Sequence, residues 1–175
     1  LIDSSLTYAR FEREQPEPQL CTVEIARWLE EQVESSRLLA RKLELQLDTT
    51  ALPARLHVEL DRKSMPYAIT NLLRNAIRYA SARVRVSAEV LGEQIQVHVD
   101  DDGIGIPADE RERVFSAFTR LDRSRDRATG GYGLGLAIAR LVLEQHGGSA
   151  SAAASPLGGA RFTLSWPLSQ NVTES

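Results

Sequence analysis

Residues Arg83 to Pro107 read RVRVSAEVLGEQIQVHVDDDGIGIP. Val84, Val86, Ala88 and Val90 fall on one face of a first strand, and Ile95, Val97 and Val99 on one face of a second. Alternation with a period of two marks a half-buried strand, and Gly92 stands where a tight turn joins the pair. The spacing predicts a hairpin, and this hairpin delivers the chain straight into an acidic, glycine-rich loop from Asp100 to Pro107. A sheet built through hairpins is not the strictly alternating parallel kind.

Working outward, the segment from Asp61 to about Ala80 has helical spacing, with Asp61 placed to cap it. Before it come two alternating runs, Leu43, Leu45, Leu47 and Leu56, Val58, Leu60, separated by Pro53. Earlier still, a short extended piece at Leu20 to Thr22 leads to a helix predicted from Val23 to about Ala40. Its apolar side carries Ile25, Trp28, Leu29, Val33 and Leu39. Beyond the acidic loop, a short helix is expected from about Asp109 to Phe115. A loop with four arginines follows at Thr119 to Gly130, then a helix from Leu134 to about His146. Gly147-Gly148 stops that helix, and two last strands flank the turn from Pro156 to Gly159. Helices and hairpins in this mixture predict an α+β domain, one sheet covered by helices on one face.

Leu1 to Glu14 has helical spacing without a start signal ahead of it, and Gln15-Pro16-Glu17-Pro18 halts it. The expected organisation is therefore a helix end at 1–14, a linker at 15–18, a globular domain at 19–168 and a flexible tail at 169–175. A chain of 175 residues, 42% apolar and 26% charged, is long enough for one core. Acids exceed bases by 24 to 21, and a net charge of −3 argues against a general polyanion binder, so no nucleic-acid partner is expected. Cys21 is the one cysteine, which excludes an intrachain disulfide and a cysteine-based zinc site. No apolar run of about 18 residues is present.

Four segments carry possible chemistry. In Asn71-Leu72-Leu73-Arg74-Asn75-Ala76-Ile77-Arg78-Tyr79, the residues Asn71, Asn75, Arg78 and Tyr79 share one side of a helix, and Ile69, Leu72, Leu73 and Ala76 the other. Asparagine is a mediocre helix former, so the polar side is either a plain solvated face or a set of oxygen ligands with a phosphate contact and a flat ring. In Asp101-Asp102-Gly103-Ile104-Gly105-Ile106-Pro107, alternate glycines admit a ligand close to the backbone. A carboxylate at the strand end can accept a hydrogen bond from an exocyclic amine. Gly130-Gly131-Tyr132-Gly133-Leu134-Gly135-Leu136 opens a helix, which suits phosphate; it matches neither the dinucleotide fingerprint nor the Walker loop. Gly158-Gly159-Ala160-Arg161-Phe162-Thr163 is, alone, only a glycine turn into a strand.

In order and spacing these four resemble the N, G1, G2 and G3 boxes of sensor histidine kinases, and Phe115-Ser116-Ala117-Phe118-Thr119-Arg120 resembles the family's F box. The likeness spans about Gln19 to Leu168, and the ending GGARFTLSWP further resembles RstB-type sensor kinases. It implies a two-layer α/β sandwich of the Bergerat ATP-binding type, with a mixed, mostly antiparallel sheet. It also implies ATP and Mg²⁺ as cofactors. Asn75 would be the main Mg²⁺ ligand with Asn71 beside it, Arg78 a phosphate contact and Tyr79 the ring packed on adenine. Asp101 would bind the adenine amine, with Gly103, Gly105 and Ile106 shaping the pocket. Arg120 would reach the γ-phosphate. Gly131, Gly133, Leu134, Gly135 and Leu136 would border the triphosphate, under a lid running from Phe118 to Gly130. Asp102 stands where the family commonly has Asn, which is expected to add negative charge near the nucleobase.

The same fold serves gyrase-, MutL- and Hsp90-like ATPases, which use a glutamate one helical turn before the metal-binding Asn. Position 71 is Asn, which is no general base, whereas a neutral imidazole already has a nucleophilic lone pair. The resemblance thus implies phosphorylation of a histidine. None of His57, His98 or His146 stands in the expected helical acceptor context; each reads as an ordinary surface or strand residue. Implied partners are the protein's own dimerisation and phosphoacceptor helices, whose tail Leu1 to Glu14 resembles, and a response regulator. The fragment is expected to be monomeric and its parent homodimeric, with this domain cytoplasmic and the parent in a bacterial inner membrane. A conformational ATPase and a non-catalytic nucleotide-binding module are the alternatives.

Overall fold

The computed structural model describes residues 4–14, 17–116 and 134–170. In chain order the elements are α1 (Ser4–Glu14), β1 (Leu20–Glu24), α2 (Ile25–Ser36), β2 (Glu44–Asp48), β3 (His57–Asp61) and α3 (Met65–Tyr79). Then come β4 (Arg83–Leu91), β5 (Gln94–Asp101), α4 (Gly135–Gln145), β6 (Ser149–Ala154) and β7 (Ala160–Pro167). The expected hairpin is β4 and β5, and Gly92 sits in its turn with φ of +62°. Around it the main sheet runs β2-β4-β5-β7-β6, antiparallel except for the β2–β4 pair. β1 and β3 make a separate antiparallel pair.

The alternation places Val84, Val86, Ala88, Ile95, Val97, Val99, Phe162, Leu164 and Trp166 in the core, against the apolar sides of α2, α3 and α4. Each such large side chain contributes about 1.5–3 kcal/mol by leaving water. The other sheet face is polar, carrying Arg85, Glu89, His98, Asp100, Arg161 and Thr163. Two hydrogen bonds tie the small sheet to the large one: Trp166 Nε1 donates to Glu59 O and the Glu59 amide to Leu168 O, both at 3.0 Å.

Several element limits differ from expectation for local reasons. Val23 pairs with Val58 in β1, so α2 begins only at Ile25, and it ends at Ser36. Leu38 and Leu39, expected to be helical, lie in turns and are exposed. The short helix expected at Asp109 to Phe115 is instead two 3₁₀ turns, Ala108–Glu110 and Arg113–Phe115, a length at which α nucleation is unfavourable. Asp61 does not cap α3. Its Oδ1 accepts the amides of Lys63 and Ser64 at 2.8 and 3.3 Å and its Oδ2 that of Gln19 at 2.9 Å, fixing the turn before the helix.

The stop of α4 follows its glycines. Gly147 has φ of +72°, its amide bonds Glu144 O at 3.0 Å, and the Gly148 amide bonds Leu143 O at 2.8 Å. A Cβ on Gly148 would overlap Ser165 O, so the chain passes tightly from helix into β6. α1 packs on α4, and Phe11 meets Tyr67 of α3 edge-on with ring centroids 6.0 Å apart. Ser169 and Gln170, at the start of the expected tail, bond to Glu59 Oε1 at 2.7 Å and to His146 O at 2.6 Å.

Candidate nucleotide site

α3 presents its two sides as its spacing predicts. Ile69, Leu72, Leu73 and Ala76 are buried, while Asn71, Asn75 and Tyr79 are half-buried on the opposite side and Arg78 is exposed. This side faces the start of α4. A Cβ placed on Gly135 would lie 3.7 Å from Asn71 Cβ and Cγ, so the first glycine of α4 stands directly against the asparagine. Leu134 is buried as an anchor, and Gly135 and Leu136 are half-buried. The amino end of a helix concentrates unpaired amides and positive potential beside the two asparagines. Arg120, Gly131 and Gly133, and the expected lid from Phe118 to Gly130, lie outside the described residues.

The glycine-rich loop after β5 and the turn before β7 form one knot. Asp101 is buried, and its Oδ1 accepts the Gly103 amide at 2.9 Å and the Ala160 amide at 3.2 Å. The Gly159 amide bonds Asp101 O at 3.1 Å. Space is used fully here: a Cβ on Gly103 would overlap Tyr79 O, and one on Gly159 would overlap Asp101 Oδ1. Gly105, with φ of +73°, packs against Gly159 O, and Ile106 is half-buried beside it. The four segments picked out by sequence therefore meet, at Asn71 with Gly135, at Tyr79 with Gly103 and at Asp101 with Gly159.

Both hydrogen bonds to the Asp101 carboxylate fall on Oδ1; among the described residues none reaches Oδ2. Burial pushes the Asp101 carboxyl above its ordinary value. The Gly103 and Ala160 amides oppose that shift, and the neighbouring Asp102 and Asp100 charges add to it. A desolvated carboxylate with one oxygen held by two amides can accept at the other from a donor outside the described residues.

Residues 60–170 match the family described as histidine kinase-, DNA gyrase B-, and HSP90-like ATPase. The chain belongs to that family. Among its curated relatives, sensor protein RstB of Escherichia coli (strain K12) is 39% identical over 174 residues, 99% of this chain and 40% of the relative. Sensor-like histidine kinase SenX3 of Mycolicibacterium smegmatis is 37% identical over 169 residues, 95% of this chain and 44% of the relative. The chain thus spans about two fifths of the length of these relatives. Among solved structures, full-length ShkA in complex with AMPPNP superposes with a TM-score of 0.81 at 26% identity, over 97% of this chain and 35% of ShkA. The mycobacterial sensor histidine kinase MprB superposes at 0.71 and 26% identity, over 84% of this chain and 96% of that one. Within the family, the fold and the ordered segments are those of the ATP-binding domain of sensor histidine kinases.

Three features of the site were not legible as such. Asp102 turns its carboxylate back toward the exit of α3: its Oδ1 accepts the Ser81 and Ala82 amides at 2.8 and 3.0 Å. Those amide bonds, led by Ala82, hold its carboxyl below the ordinary value. Asp100 is fully buried on the polar sheet face behind Asp101, and Arg161 grips it through Nε and Nη2 at 2.9 and 3.0 Å. The two are cross-strand partners in β5 and β7, a pairing visible only once the strand order is known.

His146, expected to be an ordinary surface or strand residue, is fully buried. Its Nδ1 meets Val142 O at 2.8 Å and its Nε2 accepts the Asp61 amide at 3.0 Å, which fixes a neutral ring protonated on Nδ1. This bolts the end of α4 to β3. Burial lowers the His146 pKa, against the Val142 bond and the Asp61 charge. A depressed folded pKa means that this stability is complete above the unfolded value of about 6.5 and is lost as pH falls below it. His98 shifts the same way, chiefly by burial, so the wild type alone does not separate them. Melting wild type and His146→Gln between pH 7.5 and 5.5 should show a smaller acid loss in the variant, and equal losses would refute the assignment.

Proposed function

We propose that this chain binds Mg·ATP and presents its γ-phosphoryl group to a histidine on a separate helical segment. The observation that carries the reading is the buried Asp101 carboxylate, whose hydrogen bonds among the described residues both fall on Oδ1, in a loop packed on Tyr79 at the end of the helix whose Asn71 meets the start of α4. Asp101 would take the adenine amine, Tyr79 would cover the ring, and Gly103, Gly105 and Ile106 would let the base lie close to the backbone. Asn75 and Asn71 offer neutral, hard oxygens on one helix face, which suits Mg²⁺ arriving with the phosphates that complete its shell. The ion, when bound, would neutralise phosphate charge. Arg78, the amide-rich start of α4 and Arg120 would hold the triphosphate so that the γ-phosphorus is presented to the acceptor. Catalysis of this kind is positioning and electrostatics, with little covalent work for the protein.

Asn at position 71 supports transfer to an imidazole over hydrolysis, since no carboxylate stands there to deprotonate water. Residues 19–168 would be the catalytic domain and 1–14 the end of a dimerisation helix, of a membrane-anchored homodimer that signals to a response regulator. The deciding experiment mixes the chain with the histidine-bearing helices of its own protein and γ-labelled Mg·ATP. Acid-labile label on those helices is the expected result. Steady phosphate release without such label would replace the kinase reading with that of an ATPase. Mg·ATP binding unaltered by Asn75→Ala would reduce the polar face of α3 to a solvated surface.

A further inference from the structure

We infer that Asp102 is a positioning residue for base recognition: its carboxylate clamps the segment leaving α3 onto the loop that carries Asp101. The inference rests on the reading of the site as nucleotide-binding. α3 ends at Tyr79, and the next residues, Ala80 to Ala82, lead without slack into β4. Two contacts join this exit to the loop. The Tyr79 carbonyl lies so close to Gly103 that no Cβ fits between them, and Asp102 Oδ1 accepts the amides of both Ser81 and Ala82 at 2.8 and 3.0 Å. Oδ2 also reaches the Ala82 amide at 3.2 Å.

The residue before Asp102 is the proposed acceptor for the base amine, and the residue before Ala80 is the proposed ring over the base. Asp102 therefore fixes the distance between the two groups that sandwich and read the base, while touching neither the base nor the phosphates. An ordinary loop cap would fasten a turn to itself; this carboxylate spans 20 residues of sequence to join the two walls of one site. Oδ1 alone makes both short bonds, so an asparagine, which keeps one oxygen, should keep the clamp.

The test is calorimetric titration of wild type, Asp102→Ala and Asp102→Asn with Mg·ATP and with Mg·GTP, which carries a carbonyl where ATP has its amine. Asp102→Ala should bind ATP about tenfold more weakly while its weaker affinity for GTP changes less than twofold. Asp102→Asn should stay within threefold of wild type for ATP. The clamp is refuted by unchanged ATP affinity in Asp102→Ala, by equal losses for ATP and GTP, or by an asparagine variant no better than alanine. If Asp102→Ala does not fold, Asp102→Ser takes its place, because a serine hydroxyl stops short of both amides. Failure of wild type to bind Mg·ATP would instead remove the functional reading beneath the inference.

Discussion

Replacing Asp101 by asparagine is expected to weaken Mg·ATP binding by about 100-fold while leaving the melting temperature unchanged or raised. The two effects have opposite signs because the carboxylate's two oxygens have different tasks. Oδ1 accepts the Gly103 and Ala160 amides, and an amide oxygen can do the same, so the knot of β5, the glycine loop and β7 survives. The asparagine NH₂ then occupies the open position and points a donor at the donor of the base. Losing a charge-assisted bond, about 1.5–3 kcal/mol, and leaving the opposing amine unsatisfied together reach roughly the 2.7 kcal/mol of a hundredfold loss.

Stability moves the other way because burial raises the Asp101 carboxyl above its unfolded value. A group shifted upward favours the fold only at acid pH, and this contribution disappears as pH rises through the folded pKa. At neutral pH the buried charge is a cost to the fold, which asparagine removes. Nucleotide titration and thermal melts at pH 7.5 on the same preparations decide the matter. A variant that loses stability and affinity together would show that Asp101 serves the fold alone.

Much of this was legible because the signals were local. The period-two runs at Val84 to Val90 and Ile95 to Val99, with Gly92 between, needed no tertiary information. Nor did the two-sided helix of Asn71 to Tyr79, where Leu72 and Leu73 are buried and Asn71 and Asn75 are not. What escaped was set by partners far along the chain. Val23 becomes strand because Val58 is opposite it, not because of its neighbours. Leu39 fits the apolar side of a continuing α2 by spacing, yet no core lies beneath it once Ala40 turns inward. His146 gave no signal because its two partners are Val142, one turn back, and Asp61, 85 residues away. The partners of Asp102 escaped for a related cause. The sequence carries its charge but not the direction of its side chain, which turns the carboxylate onto the Ser81 and Ala82 amides.

Gly159→Ala is expected to cost about 3 kcal/mol of stability and to abolish tight nucleotide binding. The backbone at 159 is not in the left-handed region, so alanine meets no intrinsic strain there and the whole cost is contact. A Cβ would overlap Asp101 Oδ1 and stand 2.5 Å from the Gly103 amide nitrogen and 2.6 Å from Asp101 O. Two of these atoms are backbone, so no rotamer change relieves them, and the third is the oxygen that holds the Gly103 and Ala160 amides. Relief requires β7 to move from β5 at the point where the Gly159 amide bonds Asp101 O, and that motion carries Asp101 with it. Gly92→Ala is the matched control. Its φ of +62° strains any side chain, but nothing lies within 4 Å and the turn is remote from the site. It should cost only about 1 kcal/mol and leave Mg·ATP affinity as it was. Denaturant melts and nucleotide titrations of both variants separate the causes. If Gly159→Ala proves no more harmful than Gly92→Ala, the close packing of the glycine loop on the β7 turn does not hold Asp101 in place.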